Sequence, residues 1–246
     1  MTVVLKLGGS VVTDKDREET VDGESLDAAA AAIGDAVDDL DGLVVVHGGG
    51  SFGHPNAADY GVSTTEGTRD ADGVLAIHGA MKTLNKFVLR RLREHDVPAV
   101  PVHPLSAASR DTGGELTLPV QQVRTLLGEG FVPVLHGDVI GHTGEGVTVV
   151  SGDELVVELA ASVDADRVGL CSAVPGVLDN DDAVISRIEA YEDVAEVLGA
   201  SDATDVTGGM AGKVRALLEL DVEASIFDLD SVGPFLAGDR VGTTID

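Results

Sequence analysis

Twice within its first 54 residues the chain drives a short apolar stretch directly into glycine. The first is Val3-Val4-Leu5-Lys6-Leu7-Gly8-Gly9-Ser10, and the second is Leu43-Val44-Val45-Val46-His47-Gly48-Gly49-Gly50-Ser51-Phe52-Gly53-His54. A strand that is apolar at successive positions is buried on both faces, which happens in parallel sheets covered by helices on each side. Further apolar runs lie at 99–102, 132–135, 147–150, 167–171 and 224–227. Helical patterns separate many of them, at 26–40, 73–95, 120–127, 153–161, 190–198 and 210–220. The longest carries Val74, Ile77, Met81, Leu84, Val88 and Leu92 at spacings of three and four. The alternation predicts an α/β fold with a mainly parallel sheet and helices on both faces. The polar stretches 13–24 and 55–72 read as loops, and 141–146 as a hairpin turn. A soft change near Ser151 divides the chain into two lobes, 1–150 and 151–246, sharing one continuous sheet as one structural unit.

The 246 residues suffice for a full core, but aromatic residues make up only 3% and Trp is absent, so Val, Leu, Ile and Ala must fill it. Forty-three acidic residues face 16 basic ones, a formal charge of −27. Nucleic acid and anionic membranes repel such a chain, so neither is expected as a partner. The acids are spread along the sequence, and their excess exceeds what solubility needs. This points to a halophilic protein adapted to a high-salt cytoplasm, where screening suppresses self-repulsion. The single cysteine, Cys171, excludes an intramolecular disulfide and a cysteine-cluster metal site, and reads as a small core residue. No apolar run reaches membrane-span length, and a strand-like run begins at Val3, so a soluble, cytoplasmic protein is expected.

Glycine at a strand terminus lets backbone approach a polyanion and turn free N–H groups toward phosphate oxygens. Two such turns suggest two phosphate sites, one per reactant. The second turn lacks the Gly-Lys-Ser/Thr ending of a P-loop, and no acid closes a following strand as a dinucleotide site requires. Lys6 sits inside an apolar strand, where its ammonium is costly to bury unless it meets an anion. His54 follows the last glycine and is either a surface histidine or a donor to a phosphate oxygen; His47 reads as structural. The remaining histidines are scattered, and none forms a metal-ligand pair. Asp205-Val206-Thr207-Gly208-Gly209-Met210-Ala211-Gly212-Lys213 opens a helix, with Thr207 as a cap and Lys213 one turn in, placed to reach back to nucleotide phosphates. Ser151-Gly152-Asp153-Glu154 opens another, where Asp153 either caps the helix or orients catalytic lysines.

Together these residues resemble the amino acid kinase superfamily and, through Gly48-Gly49-Gly50-Ser51-Phe52-Gly53-His54, its isopentenyl phosphate kinase branch. Val174-Pro175-Gly176-Val177 and the closing Gly242-Thr243-Thr244-Ile245 extend the resemblance to nearly the whole chain. Pro175 departs from it, since relatives often carry an acid there. The resemblance implies an open αβα sandwich and a homodimer, with the phosphate acceptor in the N-terminal lobe and ATP, with Mg²⁺, in the C-terminal lobe. It implies that Lys6, Lys15, His54 and Lys213 are catalytic, and that Gly49, His54 and Gly152 bind the substrate, isopentenyl phosphate. Lys6, Gly8, Gly9, Ser10, Gly50, Ser172, Gly208 and Lys213 would bind ATP. Metal ligands are not identified. Other small anionic acceptors, such as a phosphonate, UMP or an acyl amino acid, remain open, as does a non-catalytic nucleotide sensor. Ile77, Met81 and Leu84 suit a hydrocarbon tail or ordinary core packing equally well.

Overall fold

The computed structural model describes residues 1–199 and 209–246. In chain order the strands are β1 (Thr2–Leu7), β2 (Gly42–His47), β3 (Ala99–Pro101), β4 (Ser109–Arg110), β5 (Leu116–Thr117), β6 (Val132–His136), β7 (Asp138–His142), β8 (Gly146–Val150), β9 (Arg167–Cys171), β10 (Arg187–Ile188), β11 (Ala224–Phe227) and β12 (Thr243–Ile245). Among the described residues, one sheet of eight strands runs β10-β12-β11-β9-β1-β2-β6-β3. Its pairings are parallel except β11 with β12. β1 lies centrally, so strands from both halves of the chain meet in one sheet.

The two faces of this sheet follow the two-residue period of the strands. Val3, Leu5, Leu7, Leu43 and Val45 pack into one layer with the helices α2 (Gly23–Ala36), α4 (Ala71–Glu94) and α9 (Val232–Leu236). Val4, Val44 and Val46 face the other layer, built on α5 (Gln121–Gly128), α6 (Gly152–Ser162), α7 (Ala195–Gly199) and α8 (Gly209–Leu217). The result is an open αβα sandwich. Lys6 shares the face of Val4 and Val46, which directs it toward α6.

Several local expectations shift. The run at 147–150 does not join the long sheet. β8 pairs antiparallel with β7 in a separate four-stranded sheet, β5-β4-β7-β8, and the hairpin turn falls between them. The first-turn helix α1 (Gly9–Val12) precedes a loop closed by a bridge between Thr13 and Val21. α2 begins at Gly23, where Asp22 accepts the Ser25 N–H at 2.9 Å, and it ends at Ala36 instead of residue 40.

The stretch from 55 is not wholly a loop, because α3 (Gly50–Asp59) runs through Pro55. Proline cannot donate to Ser51 four residues back. That carbonyl instead accepts the Glu19 N–H at 2.9 Å, which docks the 14–20 loop on α3. Residues 191–193 form a separate single turn before α7. Cys171 is buried and its thiol is pushed up to about 12, first by burial, as suits an inert core residue.

Candidate active site

The parallel strands β1, β2, β6 and β9 end in register, with Leu7 opposite His47 and Cys171, and His47 opposite His136. Their carboxyl ends open into a cleft of about 850 Å³, where ligands of open α/β sheets bind. Lys6, Gly8, Gly9, Ser10, Lys15, Gly49, Gly50, His54, Gly152, Ser172 and Lys213 all line it. Gly208 lies outside the described residues, as do Asp205 and Thr207.

The two glycine turns abut each other. The Gly8 N–H bonds to the Cys171 carbonyl at 2.8 Å and the Gly48 N–H to the Leu7 carbonyl at 3.0 Å. A Cβ on Gly9 would overlap the backbone of Gly50, and one on Gly48 would lie 2.6 Å from the Gly9 nitrogen. Gly50 also holds φ +48°, in the left-handed region that only glycine adopts freely. Close turn-on-turn packing is therefore a reason for the glycines besides phosphate approach.

The cations are arranged around one carboxylate. Lys6 is only 6% exposed, and its Nζ donates to Asp153 Oδ1 at 2.6 Å. Lys213 Nζ lies 3.8 Å from Asp153 Oδ2 and donates to the Gly209 carbonyl at 3.3 Å. Burial works to raise the Asp153 pKa, but the charges of Lys6 and then Lys213 outweigh it and hold the carboxyl below its ordinary value.

Asp153 is thus not the helix cap. Ser151 caps α6: its Oγ accepts the Glu154 N–H at 3.2 Å, while Glu154 accepts the Ser151 N–H at 2.8 Å. This reciprocal pair was written in the sequence as Ser-x-x-Glu. Its first turn places Gly152 against Lys6, where a Cβ would lie 3.0 Å from Cε.

Lys15 is exposed, on the loop that Glu19 and Ser51 hold against α3. The Ser51 hydroxyl donates to the Thr20 carbonyl at 3.2 Å, and Asn56 donates to the Glu19 carboxylate at 3.0 Å. His54, on α3, is also exposed, and its Cδ2 lies 3.4 Å from where a Gly49 Cβ would stand. Ile77, Met81, Val149 and Val150 supply an apolar wall. Leu84 does not reach the cleft and belongs to the core beneath α4.

The histidines scattered in the sequence are gathered in the fold. The His47 and His136 rings stack at 5.4 Å, His103 Nδ1 lies 2.9 Å from His136 Nε2, and His78 Nδ1 lies 2.9 Å from Asp138. Burial pushes His47 down to about 3 and, first among the causes, also lowers His136 and His103. A neutral His47 can donate only once, to the Gly48 carbonyl at 3.1 Å. Its Nε2 faces Asn85 Oδ1 at 3.2 Å, so turning that amide over gives the otherwise unpartnered Asn85 Nδ2 an acceptor. Sequence reasoning anticipated a structural His47 but had no signal for the cluster, whose members lie on β2, α4, β6 and the loop after β3.

Among the described residues no three His, Cys, Asp or Glu side chains are arranged to hold a metal ion. Asp153 is engaged by two lysines and Asp138 by His78. No helix among the described residues is long and apolar enough to cross a membrane.

Residues 1–225 match the model of the amino acid kinase family. The chain is 59% identical to the isopentenyl phosphate kinase of Haloferax volcanii, over 99% of its own length and 98% of the relative's. It is 37% identical to the isopentenyl phosphate kinase of Methanothermobacter thermautotrophicus, over 92% and 90%. A solved structure of an isopentenyl phosphate kinase superposes with a TM-score of 0.86 at 30% identity, over the full length of both chains.

Proposed function

Because the chain belongs to the amino acid kinase family, we propose that it transfers the γ-phosphoryl group of ATP to isopentenyl phosphate, giving ADP and isopentenyl diphosphate. One observation carries this reading: two abutting glycine turns, three lysines and His54 share a single cleft with an apolar patch of Ile77, Met81, Val149 and Val150. Such a cleft suits two phosphate groups and one hydrocarbon tail. The named activities of the relatives support the same assignment.

An acceptor phosphate oxygen attacks the γ-phosphorus while the bond to the β-phosphate oxygen breaks and ADP leaves. The acceptor is a phosphate monoester, already anionic near neutral pH, so no strong general base is needed. The obstacle is repulsion between two polyanions brought in line. Positioning and cationic stabilisation of the group in flight must overcome it. In our reading Lys6 and Lys213, splayed from Asp153, face the transferring phosphoryl, and Lys15 approaches from the rim.

His54 and the amides of Gly49 and Gly152 hold the acceptor phosphate, with Ile77 and Met81 against its tail. Gly8, Gly9, Ser10, Gly50 and Ser172 serve the nucleotide, as would Gly208. We assign the acceptor mainly to the lobe 1–150 and the nucleotide mainly to the lobe 151–246, with the glycine turns and Gly152 at their junction crossing that division. Mg²⁺ would enter on the phosphates of ATP, since the described residues hold no cluster of three ligands for it. We further propose a cytoplasmic homodimer.

The test is an ADP-release assay over isopentenyl phosphate, dimethylallyl phosphate, fosfomycin, UMP and N-acetylglutamate. Isopentenyl phosphate is expected to give the highest kcat/KM among these acceptor classes. A higher value for UMP or the acyl amino acid would overturn the assignment.

A further inference from the structure

Arg110 stands outside the cleft, on the two-residue strand β4 of the smaller sheet, and is only 6% exposed. Its guanidinium gathers oxygens from three separate segments. Nη2 donates to Glu154 Oε1 at 2.6 Å and to the Val149 carbonyl of β8 at 3.2 Å, and Nη1 donates to the Gly114 carbonyl at 3.3 Å. Its Nε–H is buried without a partner.

A buried charge and an unpaired buried donor both oppose folding, and apolar residues of similar volume often stabilise such a site more. Stability alone is therefore a poor reason for an arginine here. What the residue does uniquely is hold Glu154. The other oxygen of that carboxylate accepts the Ser151 N–H, so Glu154 is fixed at both ends. Arg110 thereby pins the first turn of α6. The same turn presents Gly152 to Lys6 and carries Asp153, which holds Lys6 at 2.6 Å and Lys213 at 3.8 Å. Through Val149 it also ties down the strand that contributes the apolar wall.

We propose that Arg110 is a positioning residue for phosphoryl transfer, fixing the first turn of α6 from the smaller sheet and, through it, the Asp153–Lys6–Lys213 constellation. The inference rests on the kinase reading above. Small displacements of groups that act on the transferring phosphoryl are costly, and misplacement by about 1 Å can lower the rate roughly a hundredfold.

Arg110→Met keeps the volume and removes the fork; Glu154→Gln weakens its partner. Arg110→Met is expected to lower kcat about a hundredfold, by analogy with such misplacement, while both KM values stay within about threefold. The double variant should be no worse than the more impaired single one, because both break the same link. Leu118→Val, a buried change near β5, serves as a control that lowers the thermal midpoint and leaves kcat intact.

Hydrogen exchange at residues 151–155 should quicken in Arg110→Met. This second readout tests the linkage even if the wild-type enzyme proves inactive on isopentenyl phosphate, an outcome that sinks the substrate assignment alone. Unchanged exchange, a kcat within twofold of wild type, multiplicative losses in the double variant, or an equal loss in Leu118→Val would each overturn the role of Arg110.

Discussion

Replacing Asp153 by Asn tests the centre of the site. The carboxylate lies 2.6 Å from Lys6, and their side chains are 14% and 7% exposed. Asn keeps the shape and removes the charge that holds two lysines. Removing one partner of a buried ion pair typically costs about 3–5 kcal/mol, because the other charge stays buried and uncompensated. The cleft is open to water, which places the expected loss toward the lower end, about 3 kcal/mol. For a chain of this length each kcal/mol moves the thermal midpoint by roughly 2–4 °C, so a drop of about 6–12 °C follows.

Catalysis should suffer differently from binding. The cleft gains one positive charge, which favours a polyanionic nucleotide, whereas Lys6 and Lys213 lose their common anchor. ATP KM should therefore hold or fall while kcat drops roughly a hundred- to a thousandfold, the usual scale for losing a charge-stabilising donor. Calorimetric melting and steady-state kinetics with each substrate varied in turn are the assays. A variant with near-normal kcat and a sharply raised ATP KM would refute the reasoning, because Asp153 would then serve nucleotide binding and not the placement of the lysines.

Acid should weaken the fold before its carboxylates titrate. His47 is held down to about 3 against 6.5 when unfolded, so below pH 6.5 the unfolded chain binds a proton that the folded chain refuses. Stability from this group is complete above pH 6.5 and lost as pH falls, by about 2 kcal/mol at pH 5; urea midpoints at pH 7.5, 6 and 5 would show it, and an invariant midpoint would contradict it. Gly9→Ala forces a Cβ into the Gly50 backbone and should cut kcat/KM at least a hundredfold, on the scale of a misplaced site. Gly79→Ala, with open space around it in α4, should instead stabilise by up to about 1 kcal/mol in thermal melts. Transfer from molar to about 0.1 M KCl, where the Debye length grows from about 3 to 10 Å, should lower the melting temperature of this −27 chain. An unchanged melting temperature would remove the halophilic reading.

Much of this protein was written locally. Uninterrupted apolar runs specify strands buried on both faces, and such strands demand a parallel sheet between helices, so β1, β2, β6, β9 and β11 were legible. The anion-seeking character of Lys6 was legible too, because an ammonium inside such a strand must find a partner. The glycine turns marked the cleft, and Ser151-Gly152-Asp153-Glu154 marked a helix start.

The tertiary structure decided whatever depends on which distant segments touch. Lys6 meets Asp153 across 147 positions, and Arg110 meets Glu154 across 44. Neither pairing has a local signature. The run at 147–150 looks like any buried strand, and only its partners assign it to the smaller sheet. Ile77 and Met81 line the cleft while Leu84, one turn further, does not; helical spacing gives all three the same face, and only the position of the cleft along α4 separates them. The histidines gather because His47 and His136 fall opposite each other in register, which backbone pairing sets and composition does not. Even the glycines required the fold for their full explanation, since the backbone they must admit is that of the other turn.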